Sequence, residues 1–174
     1  MAHKIQEGGL STLLGVQLTS SVQDGDSGEL SVFACGDSNL YLLRNGALAL
    51  AFPVTAAEDF DRNPVLVCSN ASHNGAALES AKSIDEALHP GDVLILCTDA
   101  LARYLLAEHE TGNEPWSRLL RITDKDEFSL WVSELRAEAQ MKNDDTTTLI
   151  ITWHGPGSLS HADGPKKRIR HSNR

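Results

Sequence analysis

Long apolar runs are missing from this sequence, and their absence excludes a membrane-spanning protein. No apolar stretch among the 174 residues is long enough to cross a bilayer. Met1 to Lys4 are not followed by the apolar core of a signal peptide. Hydrophobic residues make up 41% of the chain, as in an ordinary globular protein, and the length suits one domain rather than two. We therefore expect one cytoplasmic domain with no membrane partner.

Closely spaced cysteines are also missing. The sequence has three, Cys35, Cys68 and Cys97, and no two of them have the Cys-x-x-Cys spacing of a zinc site. Their odd number argues against a disulfide framework. Because each lies in an apolar run, we expect three buried, reduced thiols in strands.

Positive charge is scarce except at the end of the chain. The net charge is −9, yet the segment after Gly155 holds five basic residues and one acidic residue. An acidic body repels nucleic acid and attracts cations, so nucleic acid is an unexpected partner. The last segment has no apolar periodicity. We therefore predict a folded domain over 1–154 and a disordered basic tail over 155–174.

Turn-forming residues divide the first half into short strands. Asn45-Gly46 predicts a tight hairpin, because both residues tolerate a positive φ. Four strands are predicted around such breaks, at 10–19, 29–35, 40–44 and 47–52. We expect them to form one antiparallel meander. Residues 69–77 are predicted to be a loop, whereas 78–88 fits either a strand or a weak helix.

The second half predicts a buried strand, three helices and a final strand. The apolar run from Val93 to Cys97 is typical of a strand buried on both faces. Asp99 follows it and is a good N-cap for a helix. The helices are predicted at 100–108, 115–121 and 126–141, and the final strand at 146–153. This order of elements indicates an α+β fold.

Three carboxylates lie beside predicted strands. Asp37 follows the second strand, Asp99 follows the apolar run, and Asp144 precedes the final strand. Mn²⁺ and Mg²⁺ prefer oxygen ligands, and these side chains can converge if their strands are neighbours. Helix caps and turns use the same residue types, so the spacing alone leaves both interpretations open.

Four motifs, taken together and in order, resemble the metal-dependent protein phosphatases of type 2C. They are Ser11-Thr12-Leu13-Leu14, Gly36-Asp37-Ser38, Gly91-Asp92 followed by the strand that ends in Thr98-Asp99, and Asp144-Asp145-Thr146-Thr147. The Thr98-Asp99-Ala100 variant resembles a bacterial branch. The resemblance implies a sandwich of two antiparallel β-sheets flanked by helices (α-β-β-α). It also implies hydrolysis of phosphoserine and phosphothreonine in a phosphorylated protein.

The resemblance further implies roles for the three carboxylates. Asp99 and Asp144 would bind a catalytic pair of Mn²⁺ or Mg²⁺ ions, and Asp37 with Asp99 would bind a third. Such ions activate a water molecule and neutralise charge on the phosphoryl oxygens. Three neighbouring residues would support these ligands: Ser38, Thr98 and Asp145.

The early Asp-Gly motif of that family has no counterpart before Leu10. In the family its Asp bridges two metals, and the same segment supplies a His and a phosphate-binding Arg. Asp24-Gly25 and Asp163-Gly164 lie in a predicted loop and in the tail, so neither replaces it. We therefore expect an N-terminally truncated domain that contains no catalytic residue and is inactive alone. Its exposed sheet edges would favour self-association.

Two functions stay open on this basis. The chain is either the larger part of a serine/threonine phosphatase that a missing N-terminal segment completes, or an inactive pseudophosphatase. The second would act as a protein-binding or regulatory module.

Overall fold

The structure is a computed structural model that describes residues 8–20, 27–60, 63–155 and 168–172. Ten strands and four α-helices occur in these residues. The strands are β1 (Leu10–Ser11), β2 (Leu13–Ser20), β3 (Gly28–Cys35), β4 (Asn39–Arg44), β5 (Ala47–Phe52), β6 (Val67–Cys68), β7 (Lys82–Leu88), β8 (Val93–Cys97), β9 (Thr146–Thr152) and β10 (Arg168–Ser172). The helices are α1 (Gly75–Ser80), α2 (Asp99–Glu110), α3 (Pro115–Arg121) and α4 (Lys125–Ala137).

Two antiparallel sheets form the body of the fold. One has the strand order β2-β3-β7 and the other β10-β9-β8-β4-β5, while β1 and β6 form a separate short pair. A core of leucine, valine and phenylalanine side chains from β3, β4, β5, β7 and β8 lies between the two sheets. The predicted α+β class with antiparallel sheets is confirmed.

Strand β4 is buried on both of its faces. Leu40 and Leu42 pack in the core between the sheets, whereas Tyr41 and Leu43 pack in a second core with α2, α3 and α4. Successive side chains of a strand point to opposite faces, so a strand between two apolar layers needs apolar residues throughout. The five-stranded sheet is therefore the middle layer of the domain.

The predicted four-stranded meander is wrong. β2 and β3 form a hairpin in one sheet, and β4 and β5 form another hairpin in the other. The chain changes sheet at Gly36, whose φ of +96° favours glycine and whose Cβ position would lie 2.7 Å from Cγ2 of Thr12. The second neighbour of β3 is β7, which is distant in sequence.

Residues 69–88 are also more ordered than predicted. The predicted loop contains a 3-10 turn, Ala71–His73, and the start of helix α1. The undecided segment 78–88 contains both alternatives, since α1 ends at Ser80 and β7 begins at Lys82. Residues 82–88 alternate only weakly between apolar and polar side chains, so pairing with β3 is what makes them a strand.

The predicted helices of the second half exist, with different ends. Thr98 rather than Asp99 is the N-cap residue of α2, and Asp99 is its first helical residue. Helix α4 ends at Ala137, four residues before the predicted end, and Ala139 has a positive φ of 56°. Asp124 caps α4, since its carboxylate accepts a hydrogen bond of 2.8 Å from the Glu127 amide.

Part of the tail that was predicted to be disordered forms a strand. Residues 168–172 form β10, which pairs antiparallel with β9. Backbone pairing to a strand edge does not require apolar side chains, so the missing periodicity gave no signal for it. Residues 156–167 and 173–174 lie outside the described residues, as does Asp24-Gly25 of the predicted loop. Among the helices that the structure describes, none is long and apolar enough to span a membrane.

Candidate functional site at the acidic edge

The three predicted carboxylates lie at the same end of neighbouring strands of the five-stranded sheet. In the register of this sheet, Cys97 at the end of β8 is opposite Asn39 of β4 and Thr148 of β9. Adjacent antiparallel strands bring the end of one beside the start of the next. Asp37 and Asp144 each lie two residues before such a start, and Asp99 lies two residues after the end of β8. We call Asp37, Asp99 and Asp144 the acidic edge.

Lys142 lies between two members of the acidic edge. Its Nζ is 2.9 Å from Oδ2 of Asp144 and 3.5 Å from Oδ2 of Asp99. The hydrogen bond to Asp144 and the negative charge of Asp99 raise the pKa of Lys142 above its ordinary value. The side chains of Asp99 and Asp144 are about one-third exposed, at 30% and 31%. The two carboxylates are therefore close enough to share one cation.

Backbone and hydroxyl contacts hold the turn that carries Asp144. The Asp144 amide donates to the Lys142 carbonyl at 3.0 Å, and the Asp145 amide donates to Oδ1 of Asp144 at 2.9 Å. The Thr98 hydroxyl donates to the Asp145 carbonyl at 3.1 Å and accepts from the Thr147 amide at 3.1 Å. Thr98 thus ties the start of α2 to the turn. These bonds also explain why its hydroxyl does not cap the helix.

Arg136 of α4 adds a further support to the same turn. Its Nη2 donates to the Asp144 carbonyl and, at 3.0 Å, to the Thr146 hydroxyl. A charged donor on a carbonyl makes a stronger bond than a neutral one. Helix α4 therefore also positions the turn, through Arg136. The sequence pattern of α4 gave no sign of this role, because Arg136 fits an ordinary solvent-facing position.

Asp37 is the most buried member of the acidic edge, with 7% of its surface exposed. The next residue, Ser38, shares a hydrogen bond of 2.7 Å with the Thr12 hydroxyl. The Asn39 side chain donates to the Val54 carbonyl and accepts from the Val54 amide. The two residues that follow Asp37 are therefore held by hydrogen bonds, and Ser38 supports the motif through Thr12.

The described residues do not form a complete metal site. Across 8–20, 27–60 and 63–155, no group of three or more His, Cys, Asp or Glu side chains is close enough to hold a metal ion. The oxygens of Asp99 and Asp144 have the chemistry that Mn²⁺ and Mg²⁺ prefer. However, the ammonium of Lys142 lies between them. The metal-binding roles of Asp37, Asp99 and Asp144 stay predictions.

A groove of about 860 Å³ opens beside Asp99. Helix α2 forms one wall, and the 3-10 turn at Ala57–Asp59 and the residues before Asp144 form the others. Its charged lining residues have both signs: Glu58, Asp99, Arg103, Glu110 and Lys142. Apolar side chains, among them Phe60 and Met141, line most of the rest of the groove.

The thiol of Cys97, two residues before Asp99, is inert. Burial, together with the charge of Asp99, raises the pKa of Cys97 well above its usual range. All three cysteines are buried and lie in strands, as predicted. Tyr41 is similar, because burial raises its pKa and its hydroxyl donates to the Ala102 carbonyl at 2.8 Å. Neither Cys97 nor Tyr41 therefore supplies a nucleophile at neutral pH.

Asp92 has a structural role that was not predicted. Its side chain is 2% exposed and accepts from Arg44 through Nε at 3.2 Å and Nη2 at 2.9 Å. It also accepts from the His89 amide at 2.9 Å. The hydrogen bond to Asp92 raises the pKa of Arg44. The Gly91-Asp92 motif thus anchors the start of β8, at the opposite end from Asp99.

The fold and this site define an α+β domain of two packed antiparallel sheets with carboxylates at one sheet edge. No protein-family model matches the chain, and no curated protein matches it significantly. Among solved structures, it is similar to the phosphatase domain of the cell fate determinant SpoIIE from Bacillus subtilis. The identity is 15% and the TM-score 0.45, over 86% of this chain and 61% of that one. The Mn-presoaked form gives 16% and 0.47, over 86% and 59%.

The chain thus spans about three fifths of the length of that phosphatase domain.

Proposed function

We propose that the chain is a type 2C phosphatase-like domain of the bacterial branch. The observation that carries the proposal is the position of Asp99 and Asp144, which are far apart in sequence and share one cation, Lys142. A phosphatase of this type needs its carboxylates to converge in this way. The order of the four motifs along the chain supports the same proposal, and Asp37 at the same edge is consistent with it.

The proposed reaction is hydrolysis of phosphoserine and phosphothreonine in a domain that a further N-terminal segment completes. Bound Mn²⁺ or Mg²⁺ would supply an activated water and charge neutralisation there. Asp99 and Asp144, supported by Thr98 and Arg136, would hold such ions. The residues present do not supply the whole ligand set, so no hydrolytic step is assigned to this chain alone.

A second candidate function is that of a pseudophosphatase, which binds a phosphorylated protein without cleaving it. Lys142 favours this alternative, because it already neutralises part of the charge of Asp99 and Asp144. Arg103 in the neighbouring groove is a further cation that could contact a phosphate.

The two candidates are distinguished by turnover. A protein extended by such an N-terminal segment is assayed with p-nitrophenyl phosphate and a phosphoserine peptide, in the presence of Mn²⁺. Turnover that is lost in Asp99→Asn and Asp144→Asn supports the active phosphatase and rules out the pseudophosphatase. Binding of the phosphopeptide without turnover supports the second candidate. Asp126→Asn, an exposed carboxylate on α4, is the matched control. Turnover that is unchanged in both site variants contradicts the family assignment.

The proposal includes a cytoplasmic location, a phosphorylated protein partner and self-association through sheet edges. Leu13 supports the last point, because it is 44% exposed and belongs to β2, an edge strand of the three-stranded sheet. The acidic charge leaves membranes and nucleic acid outside the proposal. Light scattering on a size-exclusion column tests the self-association, and a monomer at high protein concentration would contradict it.

A further inference from the structure

We infer that the ammonium of Lys142 is a built-in cation that competes with divalent metal ions for the Asp99–Asp144 pair. The inference deepens the proposed function, because it rests on the same two carboxylates and assigns the state in which the chain holds them. It predicts that the chain binds Mn²⁺ weakly and that removal of the Lys142 charge opens the pair.

The geometry carries this inference first. The Nζ atom contacts one oxygen of each carboxylate, at 2.9 Å and 3.5 Å. An Mn²⁺ or Mg²⁺ ion held by both carboxylates would use carboxylate oxygens that the ammonium now contacts. The ion and the ammonium would therefore compete for the same oxygens.

The local backbone keeps Lys142 at this position. The Asp144 amide donates to the Lys142 carbonyl, so the lysine and Asp144 lie in one tight turn. Thr98, the residue before Asp99, is in turn hydrogen-bonded through its hydroxyl to the residues that follow Asp144. Because both carboxylates are fixed relative to the turn that carries the lysine, the ammonium reaches both without moving the backbone.

Charge completes the case. Two carboxylates and one ammonium leave a net charge of −1, and a metal ion would be repelled by the ammonium beside it. The lysine side chain is 59% exposed, so the ion pair is weak enough for metal at high concentration to displace it. The structure therefore points to competition between Lys142 and metal rather than to complete exclusion.

The test is Mn²⁺ binding, measured by the loss of the electron paramagnetic resonance signal of free Mn²⁺. Lys142→Met should bind Mn²⁺ up to about fivefold more tightly than the unaltered chain. Lys142→Arg retains the charge and should show no gain. Lys125→Met removes an equal charge from the exposed start of α4 and should also show no gain. The double variant Lys142→Met/Asp144→Asn should lose the gain.

Two results would overturn the inference: unaltered chain that binds Mn²⁺ as tightly as Lys142→Met, or equal gains in Lys125→Met and Lys142→Met. Far-ultraviolet circular dichroism checks the fold of each variant, and Lys142→Gln provides a second neutral variant. Mn²⁺ binding by the unaltered chain as tight as that of Lys142→Met would overturn this inference but not the proposed phosphatase. A gain in metal affinity in Lys142→Met, together with no turnover by the N-terminally extended protein, would contradict the active phosphatase but not this inference.

Discussion

Replacement of Asp92 by alanine should destabilise the domain strongly. Asp92 accepts hydrogen bonds from Arg44 and from the His89 amide, and its side chain is 2% exposed. Loss of one partner of a buried ion pair costs about 3–5 kcal/mol. The Arg44 side chain is 28% exposed, so water can solvate part of its charge in the variant. We therefore expect the lower end of this range, about 3 kcal/mol.

The assay is urea unfolding at pH 7, followed by circular dichroism. A loss of this size corresponds to a fall in Tm of about 6–12 °C for a chain of this length. Asp92→Asn retains an acceptor for the His89 amide and should cost less than alanine. The double variant Asp92→Ala/Arg44→Met should lose less stability than the sum of the losses in the two single variants.

The control is another ion pair with far greater exposure. Arg118 and Glu134 are 2.7 Å apart, yet their side chains are 55% and 47% exposed. Glu134→Gln should therefore cost less than about 0.5 kcal/mol. If Asp92→Ala costs no more than Glu134→Gln, the buried pair does not anchor β8 and the reasoning fails.

Three other predictions test the switch between sheets, the turn and the thiols. Gly36→Ala should lower the free energy of unfolding in urea by about 2 kcal/mol, because Gly36 has a positive φ and its Cβ position contacts Thr12. Gly46 also has a positive φ, but its Cβ position meets open space, so Gly46→Ala should cost about 1 kcal/mol. Equal losses in the two variants would refute the role of Thr12. Thr98→Val should lower the free energy of unfolding by about 1–2 kcal/mol, because two hydrogen bonds are lost, and Thr98→Ser should recover most of this. A valine variant as stable as the unaltered chain would contradict the role of Thr98 in holding the turn. Iodoacetamide at pH 8 should leave Cys97 unmodified in the native chain and alkylate it in guanidinium, as mass spectrometry would show, because burial raises the pKa of its thiol; rapid native alkylation would contradict the burial.

Local signals in the sequence were sufficient for turns and for most individual strands and helices. Asn45-Gly46 predicts its hairpin because the chemistry lies within two residues, which have φ values of 53° and 81°. The same holds for Pro115 at the start of α3. Sheet membership was not predictable in this way. The assignment of β3 and β4 to different sheets depends on β7 and β8, which lie far along the chain.

The candidate site was predictable in part. Asp37, Asp99 and Asp144 stand beside strand ends in the sequence, and the register of β4, β8 and β9 brings those ends together. Lys142 was not predictable, because a lysine in a polar loop is ordinary in any sequence. Its role depends on the distance to Asp99, which is distant in the chain. The burial of Asp92 was not predictable for the same reason, since its partner Arg44 belongs to another strand.

Strand β8 joins two features that are otherwise separate. The Asp92–Arg44 pair lies just before Val93, and Asp99 lies just beyond Cys97, so about 13 Å of strand separates the two ends. Strands β4 and β9 flank β8 on both sides, and a slip by one residue would turn its core side chains the wrong way. The register of β8 against β4, which places Asp99 at the same end of the sheet as Asp37, is therefore held partly by an ion pair at the far end of these strands. A substitution at Arg44 would thus act on the acidic edge through the register of β8, without any change to the carboxylates themselves.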